Sequence, residues 1–221
     1  VLHQEKLPSL NKQLKDKLLK RQEEGTYRSL SSFEGFIDFL SNDYLGLSSV
    51  DFSHQYKGSG GSRLIAGHNE SVTDVEDFLA KHFRSEDALC FNSGYDANLG
   101  IFSTLPQAED VVLYDEFIHA SVRDGLRLSR AKSFSFRHND MEDLESKLVK
   151  YAKKQIFVAV EGLYSMTGDV CPIERLIVLK KKHEFSLVID EAHSAGVYGE
   201  NGLGLLSELD SDVIKLITFG K

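Results

Sequence analysis

The sequence predicts an α/β fold, a mainly parallel β-sheet with helices on both faces, and three observations carry that prediction. Short apolar runs rich in β-branched residues recur beyond residue 88, stretches of helical period separate them, and glycine or polar residues suited to turns follow most of the runs. A chain of 221 residues, 41% of them hydrophobic, is long enough to bury the core such a sheet needs.

Taken in order, residues from about Lys12 to Glu24 read as a charged helix with Leu14, Leu18 and Leu19 on one side, an arm rather than a core element, and Gly25 ends it. Residues 36 to 40 (Phe-Ile-Asp-Phe-Leu) read as a short strand. A glycine-dense loop follows at Gly58-Ser59-Gly60-Gly61-Ser62-Arg63. Residues 1–50 are thus an arm and 51–221 the main domain. Within that domain a helix over 72–83 leads to a strand at 88–91, and a second helix opens near Ser93. The series continues with strand 111–114, helix 119–129, strand 133–136, helix 140–153, strand 156–160, helix 173–183, strand 186–190 and a last strand over 214–218. No repeat or low-complexity linker interrupts it.

Charge and composition exclude several classes. The net charge of −8, from 26 basic and 34 acidic residues spread along the chain, offers no basic stripe for nucleic-acid phosphates. Cys90 and Cys171 stand far apart in apolar surroundings, which provides neither a disulfide framework nor a metal cluster of CxxC spacing and suits a reduced cytoplasm. No stretch has the apolar continuity of a signal peptide or a membrane span, so a soluble protein is expected. Asn69-Glu70-Ser71 matches a glycosylation sequon by letter only.

In parallel sheets ligands bind beyond the carboxyl ends of the strands, and four features lie there. Asn92-Ser93-Gly94-Tyr95 opens a helix whose free amides suit a phosphate, although a serine-capped helix start would read the same. Asp190-Glu191-Ala192-His193 has the letters of a helicase motif, but no GxxxxGK[ST] phosphate loop accompanies it. Asp190 as a simple turn cap is the plainer alternative. In Thr218-Phe219-Gly220-Lys221, a glycine turn can aim hydroxyl and amine into one crevice, where a lone lysine would be a solvated charge. His119 follows strand 111–114 at the same edge, either as a site residue or as the cap of the next helix.

Together these motifs resemble the α-oxoamine synthase family of pyridoxal-phosphate enzymes. In family order they are Asn42 to Leu47, Gly58 to Leu64, Ser93 to Asn98, His119-Ala120-Ser121, His138-Asn139-Asp140, Glu161 to Asp169, Asp190 to His193, and Thr218 to Lys221. The resemblance implies the large domain of the aspartate-aminotransferase fold (fold type I), with pyridoxal 5'-phosphate bound. It makes Lys221 the Schiff-base lysine and the base that moves the α-proton, Asp190 the partner of the pyridine nitrogen, His193 a donor to the ring oxygen, and His119 the group stacked on the ring. Ser165 would line the pocket, and Thr218 with the amides of Gly94 and Tyr95 would hold the phosphate. Arg28 and Asn42 would meet the acyl substrate.

The implied reaction is a decarboxylating condensation of an amino acid with an acyl-CoA or acyl carrier protein thioester. L-Alanine and a pimeloyl thioester fit the motifs best; glycine or serine with other acyl groups, or a non-catalytic binding protein on the same fold, are the alternatives. A homodimer with a shared active site is implied. Val72 stands where the family commonly has histidine. Members continue past the lysine into a small domain that supplies the carboxylate-binding arginine and a partner-subunit phosphate contact, so this chain is expected to be part of a longer protein.

Overall fold

A computed structural model describes residues 12–27, 37, 44–46, 50, 61–65, 67–68, 70–206 and 213–220. The chain divides into two compact units, Val1–Ser41 and Asn42–Lys221. In the first, helix α1 spans Lys12–Glu23, with Lys20 and Glu24 paired at 3.6 Å one turn apart. The strand expected at 36–40 lies outside the described residues apart from Ile37, which is in no strand.

In the second unit the elements run α2 (Glu70–His82), α3 (Gly94–Thr104), β1 (Val111–Asp115), α4 (Ala120–Leu128), β2 (Lys132–Phe136), α5 (Met141–Lys150), β3 (Ile156–Glu161), α6 (Ile173–Lys182), β4 (Ser186–Asp190) and β5 (Val213–Leu216). The five strands form one sheet in the order β2-β1-β3-β4-β5, and every pairing is parallel.

Strand alternation sorts the core into two layers. Val111, Leu113, Val158, Val160, Leu187 and Ile189 point to the face covered by Leu144 and Leu148 of α5 and Leu176 and Leu179 of α6. Val112, Ala159 and Val188 point the other way, onto Phe102 of α3 and Val122 and Leu126 of α4. Both faces being covered explains why the strands read as continuous apolar runs. Helices α3 and α4 approach closely at Gly125, where a Cβ would sit 2.9 Å from Phe102 Cβ and 3.0 Å from Asn98 O.

One expected strand is absent. Ala88–Phe91 has no regular structure, and Leu89 and Phe91 are 71% and 50% exposed. A strand exists only through its ladder, and no described strand lies beside this segment; the Cys90 N–H donates instead to Glu76 Oε1 at 2.8 Å. Helix α2 begins two residues earlier than expected, α5 ends at Lys150, and β5 ends at Leu216, leaving Thr218 in the loop beyond it.

Candidate active site

The strand order reverses between β1 and β3: the chain leaves β1 toward β2 and returns across it to β3. Such a switch point opens a crevice at the carboxyl ends of the strands. A cavity of about 1310 Å³ extends from that edge along β5. Gly94, Tyr95, His119, Asp190, His193 and Thr218 all line it.

Asp190 ends β4 and is buried. Its Oδ1 accepts the Ala192 N–H at 3.0 Å, the turn-cap bond that a purely local reading expects. Its Oδ2 accepts from Asn98 Nδ2 of α3 at 2.8 Å, and Asn98 also donates to Ser121 Oγ at 3.0 Å. Ser121 in turn lies 2.7 Å from His119 Nδ1. His119 caps α4, its Nδ1 accepting the Ser121 N–H at 3.2 Å, so it caps a helix and faces the cavity at once.

Tyr95 meets the His119 ring edge-on, with centroids 6.3 Å apart. Its hydroxyl donates to Asp124, which holds the phenol above and the carboxyl below their ordinary ranges. His193 is buried, its Nδ1 2.9 Å from the Tyr44 hydroxyl. Its neighbour Glu191 is buried and holds loops together. The Glu191 carboxylate accepts the N–H groups of Leu205 and Leu206 at 3.1 and 3.0 Å and the Ser194 hydroxyl, binding the turn after β4 to a later loop.

Ser93 caps α3 through the Asp96 N–H at 3.0 Å. A Cβ on Gly94 would fall 2.5 Å from Thr218 Cγ2, so the amide end of α3 and Thr218 come as close as they do only because the residue is glycine. Ser165 lies outside the cavity lining, exposed on the loop after β3, with its N–H donating to Glu161 Oε2 at 3.4 Å; Glu161 lines the cavity. Lys221, Arg28 and Asn42 lie outside the described residues.

Behind the edge, Asp115 ends β1 fully buried. It accepts from Phe117 N at 2.8 Å, Asn139 N at 2.9 Å and His138 Nδ1 at 2.9 Å, while His138 Nε2 reaches Asp169 at 3.2 Å. Burial pulls the imidazole's pKa down, but the hydrogen bonds and charges of the two aspartates outweigh it and raise the group above its ordinary 6.5. This cluster anchors the loop that delivers His119. Tyr44, Asn98 and Ser121 received no role from the sequence, although each sits inside a motif that carried the resemblance.

The family model for class I and II aminotransferases matches residues 34–221. A Neisseria meningitidis protein provisionally named 8-amino-7-oxononanoate synthase is 43% identical over 205 residues, covering 84% of this chain and 53% of its own length; a Haemophilus influenzae protein of the same provisional name is 42% identical over 202 residues, with the same coverage. Among solved structures, Sphingomonas wittichii serine palmitoyltransferase superposes with a TM-score of 0.66 at 39% identity, over 68% of this chain and 38% of that one. The 8-amino-7-oxononanoate synthase of Francisella tularensis does so with a TM-score of 0.63 at 33% identity, over 79% and 50%. This chain belongs to the class I and II aminotransferase family, in its α-oxoamine synthase branch of fold type I. It spans about half the length of the curated relatives it matches.

Pyridoxal phosphate is the cofactor of this branch, and a related serine palmitoyltransferase was solved with a bound PLP–myriocin aldimine. The residues present fit it. The glycine cradle against Thr218 suits a phosphate, and the buried acceptor Asp190 suits a protonated ring nitrogen.

Proposed function

We propose that the intact protein is a pyridoxal-phosphate-dependent acyltransferase that joins an amino acid to an acyl thioester with loss of carbon dioxide. The observation that carries this reading is Asp190, a buried carboxylate at the strand edge with His119 and His193 lining the same cavity. When bound, the cofactor supplies an electron sink for the amino acid's α-carbon. Asp190 holds a proton at the ring nitrogen, His193 donates to the ring oxygen, and His119 lies across the ring. Thr218 and the amides of Gly94 and Tyr95 bind the phosphate, with Ser165 beside the pocket. Lys221 anchors the cofactor and moves the α-proton; Arg28 and Asn42 meet the acyl substrate.

L-Alanine and a pimeloyl thioester, giving 8-amino-7-oxononanoate for biotin synthesis, are the substrates we assign, because the relatives at 42–43% identity carry that provisional name. A serine-using reaction is the second reading, favoured by the serine palmitoyltransferase structures at 37–39% identity. We assign a cytoplasmic homodimer; no described helix is long and apolar enough to cross a membrane. The test is thiol release by the intact, cofactor-loaded protein across a matrix of alanine, glycine and serine against pimeloyl-, acetyl-, succinyl- and palmitoyl-CoA. Alanine with pimeloyl-CoA should dominate. Turnover with serine and palmitoyl-CoA alone would transfer the assignment to the second reading, and no turnover in any pair would remove the enzyme reading.

A further inference from the structure

Asn98 is buried in α3, and both hydrogens of its amide are committed, one to Asp190 Oδ2 at 2.8 Å and one to Ser121 Oγ at 3.0 Å. Its own Oδ1 is buried without a hydrogen-bond partner among the described residues. That orientation is dictated by chemistry: an ionised carboxylate only accepts, so turning the amide over would set oxygen against oxygen at Asp190. The orphaned Oδ1 is the cost of meeting it.

Directionality then propagates. His119 Nδ1 accepts the Ser121 N–H at 3.2 Å, so in the 2.7 Å contact with the same nitrogen the Ser121 hydroxyl donates, while its oxygen accepts from Asn98. A ring nitrogen accepting two hydrogen bonds carries no proton, so the imidazole's proton is directed to Nε2.

We infer that Asn98 is a positioning residue that joins Asp190, Ser121 and His119 in one hydrogen-bond relay and holds the Ser121 hydroxyl where it donates to His119. This rests on the reading of Asp190 as the ring-nitrogen partner. Among the described residues, Asp190 Oδ2 takes one donor, Asn98. The relay also gives Asp190 and His119 a common support, since α3 and α4 meet where Asn98 and Ser121 touch.

The test uses the intact protein labelled with 15N-histidine. Asn98→Leu keeps the shape of the side chain and removes both donors; Ser121→Ala cuts only the His119 branch. In the wild type the imidazole nitrogens of His119 should give separate signals of an unprotonated Nδ1 and a protonated Nε2. Both variants should move these signals toward the averaged values of exchanging tautomers. Asn98→Leu alone should also weaken pyridoxal phosphate binding about tenfold, the loss of one charge-assisted hydrogen bond, and displace the pH titration of the bound cofactor's absorbance.

Asp190→Ala distinguishes failure of the relay from failure of the Asp190 reading beneath it. If it leaves cofactor affinity and absorbance titration unchanged, the reading of Asp190 fails. If it changes them but Asn98→Leu does not, or if the His119 signals are unmoved in both Asn98→Leu and Ser121→Ala, the relay is wrong. Ser121→Ala keeps the inference open to refutation should Asn98→Leu not fold.

Discussion

Replacing Asp115 by alanine is the perturbation whose cost can be worked most directly from the structure. The carboxylate is fully buried at the end of β1 and accepts three hydrogen bonds, from the N–H groups of Phe117 and Asn139 and from His138. Two backbone donors left without an acceptor near partly exposed loops cost about 1 kcal/mol each, and the charged bond to His138 about 1.5–3 kcal/mol, so the total is about 3.5–5 kcal/mol. Asn139, at a φ of 53° that asparagine tolerates better than most residues, loses one of its restraints as well. Against a typical domain stability of about 5–15 kcal/mol this is a large fraction. Urea unfolding of the intact protein, followed by hydrogen exchange over residues 115–140, measures it. Alanine should lower the midpoint and abolish protection at Phe117 and Asn139, and asparagine should cost less because one oxygen remains. The pH dependence has a definite sign. The folded pKa of His138 lies above 6.5, so the ion pair's contribution is full below 6.5 and fades as pH rises through the folded value. The gap between wild type and Asp115→Asn should therefore narrow from pH 6 to pH 9. A destabilisation under about 1 kcal/mol in the alanine variant, or a gap that widens with pH, would refute the reasoning.

Two further perturbations probe the rest of the unit. Glu76 is buried and accepts a bidentate pair from Arg63 at 2.6 and 2.5 Å, which holds its carboxyl below its ordinary 4.5; the stability it adds is present above 4.5 and lost as pH falls through the lower folded value, so Glu76→Gln should be less stable than wild type at pH 6 and converge with it in acid denaturation below pH 4.5. Gly94→Ala should lower the melting temperature, because the new methyl would fall 2.5 Å from Thr218 Cγ2, and should weaken pyridoxal phosphate at least about tenfold in equilibrium dialysis; unaltered affinity would remove the cradle from the phosphate site.

The fold was legible because the sheet is buried on both faces. Val111-Val112-Leu113, Ile156 to Val160 and Leu187-Val188-Ile189 read as strands without any knowledge of their neighbours, since both sides of each are apolar. Ala88–Phe91 carries the same signature and is no strand, because local pattern cannot supply a ladder partner. At the site, Asp190, His193, Thr218 and Gly94 could be singled out because each ends a strand, lies within a few residues of a strand's end, or opens a helix. Asn98 and Ser121 could not, since their roles arise from the contact of α3 with α4, and one helix alone does not disclose which of its polar residues will face another. His119 read either as a cap or as a site residue; the structure has it as the cap of a helix whose first turn borders the cavity, so the two descriptions were never exclusive.

Buried acids, not the ligand-facing residues alone, organise this edge of the sheet. Asp115, Glu161, Asp190 and Glu191 all fall at or just past a strand's carboxyl end, and each accepts at least one backbone N–H from the loop that follows. A carboxylate there does what a hydrophobic side chain cannot: it collects donors that a turning backbone would otherwise leave unpaired away from water. Glu191 gathers two N–H groups and a hydroxyl from segments more than ten residues apart in sequence, and Asp115 gathers donors from two loops. The loops that carry His119 and His193 are therefore fixed from beneath by carboxylates, and Asp190, built in the same way, also opens onto the cavity, as Glu161 does. A site of this kind needs little change to its scaffold to turn a structural acid into one that meets a ligand: the carboxylate has to keep its backbone donor and gain an open side.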